Sequence, residues 1–213
     1  RDGRLTLADG EPTLLSWSGS MFEYLMPMLM MPSYPHTLLD VSCRNSVRRQ
    51  VRYARSKGIP WGISESCYYL TDSNLAYRYR AFGVPGLGLE RGLGNQLVIA
   101  PYASALGIMV APSEACDNLQ RLEQAEYVGP YGFYDALDYT PQRRASPDEP
   151  GVCRTVMAHH SSMSLLAFTN VLFDGIMRRR LMDQTLCRAH DLLLQERLPQ
   201  ALRPVQPHLL EML

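Results

Sequence analysis

Three segments of the sequence place carboxylates among aromatic residues, a combination suited to chemistry on sugars. Cleavage of a glycosidic bond needs two carboxyl groups. One protonates the leaving oxygen, and the other activates water or attacks the anomeric carbon. Pyranose rings also present C–H surfaces that pack on tryptophan and tyrosine. The three candidate carboxylates are Glu23, Glu65 and Asp135.

Glu23 follows Trp17-Ser-Gly-Ser and lies in an apolar run with Met21, Phe22 and Leu25. Burial among apolar side chains raises the pKa of a carboxyl group, and a general acid needs a raised pKa. The same residue also fits a glutamate near a helix start that hydrogen-bonds to backbone amides. The sequence leaves both interpretations open.

Glu65 lies between two serines in the segment Trp61-Gly-Ile-Ser-Glu-Ser. A carboxylate with hydroxyl neighbours in a glycine-containing loop has hydrogen-bonding partners, and such loops often border clefts. Alone this pattern is weak, because Ser-Glu-Ser is also an ordinary turn or helix cap.

Asp135 and Asp138 lie within Tyr131-Gly-Phe-Tyr-Asp-Ala-Leu-Asp-Tyr. Two acids at positions i and i+3 would share one face of a helix. Three tyrosines and a phenylalanine surround them, which is unusual for a solvated loop. The segment therefore favours a sugar-binding site.

Other reactive residues suggest little further chemistry. His159 and His160 have no third ligand at metal spacing, so we expect no metal site; one histidine is expected in the core and the other in a cleft. The glycine-rich segment 83–92 lacks the Gly-Lys-Ser/Thr of a phosphate loop. Ser162 lacks a nucleophile-elbow pattern. No cofactor is expected.

Composition excludes several classes of protein. The 21 basic residues balance the 21 acidic ones, which argues against nucleic-acid binding. No apolar stretch approaches the roughly 20 residues that cross a bilayer, so we expect this segment to be soluble. The five cysteines are odd in number and dispersed, which indicates a reducing compartment rather than a disulfide framework.

Hydrophobic residues recur at helical spacing in several segments, and no segment alternates convincingly like a strand. We therefore predict an all-α fold. The clearest helix spans 37–56, with arginines on its outer face and Gly58-Ile59-Pro60 at its end. Further helices are predicted at 101–110, from 112 onward, at 152–173 and at 184–196.

Taken in order, the motifs resemble the glucoamylase-like (cyclization) domain of cyclic β-1,2-glucan synthases. The resemblance covers nearly the whole chain. Its blocks are Trp17-Ser-Gly-Ser-Met-Phe-Glu-Tyr-Leu-Met-Pro, Trp61-Gly-Ile-Ser-Glu-Ser, Tyr79-Arg-Ala-Phe-Gly-Val-Pro-Gly-Leu-Gly-Leu, Ile99-Ala-Pro-Tyr-Ala-Ser, Tyr131-Gly-Phe-Tyr-Asp-Ala-Leu-Asp-Tyr and Met157-Ala-His-His-Ser-Ser-Met-Ser-Leu.

The resemblance implies an (α/α)6 barrel, or toroid, with its site in a broad cleft. The predicted helices are too few for that barrel, so we expect its N-terminal helices to be missing from residues 1–198. Residues 199–213 are expected to link to a following domain.

The resemblance also implies that linear β-1,2-glucan is closed into a ring by intramolecular transglycosylation with retention of configuration. The expected partners are the glucan and the other domains of a membrane synthase, including a glycosyltransferase domain that uses UDP-glucose. The site would then face the cytoplasm. Related endo-β-1,2-glucanases share the barrel and hydrolyse the same linkage.

Carried over to this chain, the resemblance makes Glu65 the first choice for a catalytic carboxyl, while Glu23 and Asp135 compete for the second role. The family more often has Glu at position 135, and Asp reaches about one methylene less. Plain hydrolysis and a non-catalytic glucan-binding module remain alternatives. The expected cleft residues are Trp17, Trp61, Tyr79, Arg80, Tyr131, Tyr134, Asp138 and His159.

Overall fold

The computed structural model describes residues 4–199 and 204–206, and these form a mixed α/β fold. The helices are α1 (Met21–Leu25), α2 (Leu38–Lys57), α3 (Pro101–Gly107), α4 (Pro112–Gln124), α5 (Ala158–Leu172), α6 (Ile176–Met182) and α7 (Thr185–Ala189). The strands are β1 (Leu5–Ala8), β2 (Glu11–Leu14), β3 (Ser66–Thr71), β4 (Tyr77–Arg80), β5 (Val98–Ile99), β6 (Val128–Gly129), β7 (Gly132–Phe133), β8 (Ala136–Asp138) and β9 (Gly151–Cys153).

The prediction of an all-α fold is wrong, and with it the (α/α)6 barrel. Four antiparallel sheets lie among the helices: the pairs β1–β2, β3–β4 and β6–β7, and a three-stranded sheet in the order β5–β8–β9. Most of these strands are two to four residues long. Alternation needs about four or more residues to be detectable, so such strands leave almost no signal in the sequence.

The first hairpin has a local cause. Asp9 and Gly10 join β1 to β2, and both have positive φ, 53° and 89°. Two successive residues with positive φ make the two-residue turn whose twist matches that of paired strands, and Asp-Gly is a preferred sequence for it. The hairpin packs on α2.

The prediction of a helix over 37–56 is confirmed by α2. Its N-cap is Thr37, whose side-chain oxygen accepts from the amide of Asp40. Gly58 ends it in the left-handed conformation with φ of 68°, which glycine adopts at little cost. Helices α3 and α4 begin at Pro101 and Pro112, since proline is tolerated in the first turn of a helix.

Two predicted helices near the C-terminus are partly wrong. The helix expected over 152–173 begins only at Ala158, because residues 151–153 form β9 and pair with β8. The helix expected over 184–196 is the short α7 followed by a 3-10 turn at Asp191–Gln195.

The core is continuous from α1 and α2 to α3 and the three-stranded sheet. The middle strand β8 is fully buried, and α3 is buried along its whole length and packs on both α4 and α5. The described part of the chain has no helix long and apolar enough to cross a bilayer. The predicted linker at 199–213 lies almost entirely outside the described residues.

Candidate active site

Tyr79 is the centre of a hydrogen-bonded cluster. Its hydroxyl lies 2.8 Å from Oε1 of Glu65, 3.2 Å from Nε2 of His159 and 3.1 Å from Nε2 of His160. Burial, followed by the hydrogen bond to Glu65, raises the pKa of Tyr79, so the phenol stays protonated. The cluster therefore connects a half-buried carboxyl group to two imidazoles through one hydroxyl.

His160 continues the cluster to a second carboxylate. Its Nδ1 atom lies 2.6 Å from Oδ1 of Asp135, and both side chains are buried. The other carboxylate oxygen of Asp135 accepts from the amide of Cys67 at 2.9 Å. Burial, and then the neighbouring Asp135, raise the pKa of the Cys67 thiol to about 12. Asp135 thus reaches Glu65 through His160 and Tyr79.

Tyr102 fixes the orientation of His160. The two rings stack with centroids 3.8 Å apart and planes 13° apart. The Tyr102 hydroxyl in turn lies 2.8 Å from Oγ of Ser64 and 3.0 Å from the carbonyl oxygen of Glu65. Because α3 is fully buried, Tyr102 is a rigid support for both the imidazole and the backbone of the loop that carries Glu65.

Four parts of the fold meet at this cluster. Glu65 precedes β3, Tyr79 lies on the paired strand β4, Asp135 precedes β8, and the two histidines open α5. The β3–β4 hairpin, which the sequence did not predict, therefore places Glu65 beside Tyr79.

The two histidines differ in surroundings. His160 is buried, with 4% of its surface exposed, whereas His159 is exposed. Burial, and then the neighbouring His160, lower the pKa of His159, so its imidazole is neutral over most of the pH range. One histidine of the pair therefore lies in the core, as the sequence predicted, and the other is exposed beside Tyr79.

An aromatic cleft adjoins Asp135 and His160. Its volume is about 230 Å³. Aromatic side chains form much of its wall, and these suit the C–H faces of a pyranose ring. Its lining includes Tyr131, Phe133, Tyr134, Val156 and Phe168.

Of the expected cleft residues, Tyr131 and Tyr134 line this cleft, whereas Arg80 does not. Tyr131 is 84% exposed at the cleft rim, and Tyr134 lies under the guanidinium of Arg154 at 5.4 Å. Arg80 forms an ion pair with Glu90 at 3.0 Å.

Trp61 and Trp17 have opposite environments. Trp61 is only 5% exposed, its indole N–H donates to the carbonyl of Glu114 at 3.2 Å, and it is not part of the aromatic cleft beside Asp135. Trp17 is 67% exposed. The difference could not be read from the residue types.

Asp138 belongs to a structural ion pair. Its side chain is fully buried and lies 2.5 Å from Nε of Arg143. It also accepts from the amides of Tyr69 and Thr140. Residues 136–138 are a strand, so the expectation that Asp138 shares a helical face with Asp135 is wrong.

Glu23 is a helix-capping residue. It forms a reciprocal capping box with Ser20, and its carboxylate also accepts from the amides of Trp17 and Ser18 and from the Ser18 hydroxyl at 2.6 Å. Burial raises its pKa, but these hydrogen bonds outweigh burial and hold the pKa below its usual value. The expected raised pKa is therefore wrong, and the helix-start interpretation is confirmed.

The sequence did not single out Tyr102 or the partnership of His160 with Asp135. Both are contacts between residues 25 to 58 positions apart, so no local pattern could reveal them. The one signal was the position of Tyr102 within the block Ile99-Ala-Pro-Tyr-Ala-Ser.

Carboxyl groups joined through a hydroxyl and an imidazole beside an aromatic cleft suit acid–base chemistry on carbohydrates. The arrangement is therefore typical of carbohydrate-active proteins. The chain belongs to the Glycoamylase family. The model of that family, described as "Putative glucoamylase", matches residues 4–185. The family resemblance seen in the sequence motifs is thereby confirmed.

Known relatives fit this assignment. The chain is 46% identical over 186 residues to "Cyclic beta-(1,2)-glucan synthase NdvB" of Rhizobium meliloti (strain 1021). The match covers 87% of this chain and 7% of that relative, so the chain corresponds to a small part of the curated protein.

Two solved structures share the fold. An endo-β-1,2-glucanase from Chitinophaga pinensis, in complex with sophorotriose and glucose, superposes with a TM-score of 0.63 at 17% identity; the match covers 90% of this chain and 46% of that one. A β-1,2-glucanase from Parabacteroides distasonis gives a TM-score of 0.57 at 18% identity, covering 87% and 26%. The chain spans less than half of either structure.

Proposed function

We propose that this chain is a carbohydrate-active domain that acts on β-1,2-glucan and closes linear chains into rings by transglycosylation. The observation that carries the proposal is the cluster in which Tyr79 and His160 join the carboxyl groups of Glu65 and Asp135. The adjoining aromatic cleft supports a sugar substrate. The 46% identity to a cyclic β-1,2-glucan synthase supports the linkage.

Glu65 is the carboxyl group that we assign to contact with the substrate. It is half-buried at the open side of the cluster, with Tyr79 on one oxygen. In a transfer reaction the same group first gives a proton to the leaving sugar oxygen. As that oxygen leaves, the second carboxylate bonds to the anomeric carbon. Glu65 then removes a proton from the hydroxyl at the other end of the same glucan, and this hydroxyl displaces the carboxylate.

Asp135 is the second carboxyl group of the site. Glu23 is the weaker candidate, because its carboxylate caps α1 and bonds to Ser18 and Ser20, whereas the contacts of Glu65 are with Tyr79. Asp135 instead belongs to the Glu65 cluster. Trp17, Tyr79, Arg80, Tyr131, Tyr134 and His159 are proposed to contact the glucan.

Product analysis tests the proposal. The purified chain is incubated with linear β-1,2-glucan, and the products are read by mass spectrometry. Rings are lighter than linear glucans of equal length by one water, and we expect them to form. The variant Glu65→Gln should abolish them, while the control Glu123→Gln, an exposed position on α4, should not.

Other outcomes would replace the proposal. Shorter linear chains without rings would indicate hydrolysis. Unchanged glucan in the presence of folded protein that binds it would indicate a non-catalytic binding module.

We further propose that the domain works at the cytoplasmic face of a membrane as part of a larger synthase with a glycosyltransferase domain. The small share of the curated relative that it matches supports a larger protein. All five cysteines are free thiols, which suits a reducing compartment. A membrane-impermeant maleimide should label the exposed Cys116 only after cells are permeabilised; labelling of intact spheroplasts would contradict this location.

A further inference from the structure

The Tyr79 hydroxyl has one hydrogen and lies within hydrogen-bonding distance of both Glu65 and His160. A phenol donates one hydrogen bond and accepts others through its lone pairs. When Tyr79 donates to Glu65, it must accept from His160. When Tyr79 donates to His160, the hydrogen bond between Glu65 and Tyr79 needs a proton from Glu65, which must then be a neutral carboxylic acid. The direction of this one O–H bond therefore depends on the charge of Glu65.

We infer that Tyr79, His160 and Asp135 form a proton relay that sets the charge of Glu65. In one arrangement Glu65 is a neutral carboxylic acid that donates to Tyr79, which donates to a neutral His160. In the other, Glu65 is a carboxylate and His160 is an imidazolium. One proton has moved from Glu65 to Tyr79, and the original Tyr79 proton has moved to His160. No proton is gained or lost.

Asp135 makes the second arrangement accessible. In both arrangements it is a carboxylate that accepts from Nδ1 of His160 at 2.6 Å, and its negative charge stabilises the imidazolium. The contact is buried, so water does not screen it. The amide of Cys67 holds the other oxygen of Asp135 in place. Within the relay, Asp135 thus acts on Glu65 through His160 and Tyr79.

The remaining groups that face the relay keep its geometry and its proton count fixed. Tyr102 stacks on His160 from α3 and prevents the ring from turning. Burial raises the pKa of Tyr102 and of the Cys67 thiol, so both stay protonated. The Nε2 atom of His159 also lies 3.2 Å from the Tyr79 hydroxyl, and burial and the neighbouring His160 lower the pKa of His159. As a neutral imidazole, His159 can donate to the Tyr79 oxygen in both arrangements without taking up the proton. The mobile proton is therefore confined to Glu65, Tyr79 and His160.

The relay matters for the proposed function, on which this inference rests through the assignment of Glu65. A transfer reaction needs a carboxyl group that is an acid in the first half and a base in the second. The arrangement with neutral Glu65 is the one that can protonate the leaving oxygen, and the attacking sugar hydroxyl later returns a proton to Glu65. The relay therefore sets the charge with which Glu65 enters the reaction, and the cycle needs no proton from bulk water.

The test measures His160 directly and needs no substrate. In the full chain labelled with 15N-histidine, NMR titration gives the protonation constant of His160 for four proteins: wild type, Glu65→Gln, Tyr79→Phe and the double variant. We expect Glu65→Gln to lower that constant at least about tenfold in the wild-type background, because a nearby negative charge that favours the imidazolium is removed. In the Tyr79→Phe background we expect a change below about threefold.

A change of equal size in both backgrounds would overturn the relay, because the coupling would then pass through space and not through Tyr79. The absence of any change would do the same. The control Tyr77→Phe removes a hydroxyl from the same strand, one bonded to the carbonyl of Val152, and should leave the His160 titration unaltered.

A kinetic measurement separates this inference from the proposed function. If the chain forms rings, Tyr79→Phe should lower kcat and shift its pH profile with little change in KM. If the titrations of Glu65 and His160 are coupled but no rings form, the relay stands and the proposed action on β-1,2-glucan is rejected. Ring formation without coupled titration would keep the function and remove the relay.

Discussion

Asp135 immediately precedes β8 and Asp138 ends it, and both carboxylates accept from backbone amides of β3, those of Cys67 and Tyr69. Asp135 lies 2.6 Å from His160, and Asp138 lies 2.5 Å from Arg143. One carboxylate of this segment thus belongs to the candidate site and the other to a structural ion pair.

Replacing Asp135 with asparagine should weaken both the site and the fold. The variant Asp135→Asn keeps an acceptor for the amide of Cys67 but loses the charge that faces His160. Because the group is buried, we expect a loss of about 1–3 kcal/mol in the free energy of unfolding. Urea unfolding checks this. The exposed control Asp117→Asn should change stability by less than about 0.5 kcal/mol.

Replacing Arg143 should cost more, because it leaves a buried charge without its partner. Asp138 has no exposed surface, so Arg143→Met should destabilise the fold by about 3–5 kcal/mol. The exposed pair Arg188–Asp183 is the contrast, and Arg188→Met should change stability by no more than about 1 kcal/mol.

Adding Asp138→Asn to Arg143→Met should recover part of the lost stability, since no charge is then buried alone. Urea unfolding at pH 7 gives all of these values. If Arg143→Met and Arg188→Met lost equal stability, the ion pair would not have the assigned structural role.

The sequence predicted the long helix well because its signals are local. Thr37 caps it and Gly58 ends it, and both signals lie within four residues of the helix. The strands were missed because β5, β8 and β9 are two or three residues long and are buried by pairing with segments far along the chain. Their stability comes from tertiary contacts, which a local pattern does not record.

For the site, the sequence motifs identified the residues whose side chains can take part in acid–base chemistry. Glu65, Tyr79, Asp135 and His159 were named from the motifs, and the structure places them in one cluster with His160. Burial could not be predicted in the same way. Trp61 and Glu23 each stand beside serines and glycines, like cleft residues, but long-range packing and capping decide their surroundings.

Glu23 gives a stability effect that depends on pH. Its folded pKa lies below the usual value, so the ionised form is stabilised by folding. Its contribution is therefore complete above the unfolded pKa of about 4.5 and is lost as the pH falls toward the lower folded pKa. We expect Glu23→Gln to cost about 1 kcal/mol at pH 7, the size of a lost helix cap.

The same comparison at low pH provides the check. As the pH falls below about 4.5, the difference between wild type and Glu23→Gln should shrink, because the unfolded carboxyl group then binds a proton that the folded carboxylate, with its lower pKa, does not yet bind. Glu123→Gln, at an exposed position on α4, should differ from wild type equally little at both pH values. A difference for Glu23→Gln that grows as the pH falls would show that the folded pKa is raised.

The two tryptophans should respond in opposite ways to the same substitution. Trp61 is buried, donates to Glu114 and packs so closely on Gly107 that an added methyl there would lie 2.5 Å from its ring. Trp61→Ala should therefore destabilise the fold by about 3–5 kcal/mol. Trp17 is 67% exposed, so Trp17→Ala should change stability by less than about 0.5 kcal/mol and, if Trp17 contacts glucan, weaken glucan binding. Thermal unfolding and titration with linear β-1,2-glucan measure the two effects. Loss of stability without loss of binding in Trp17→Ala would place Trp17 in the core and take it out of the proposed sugar site.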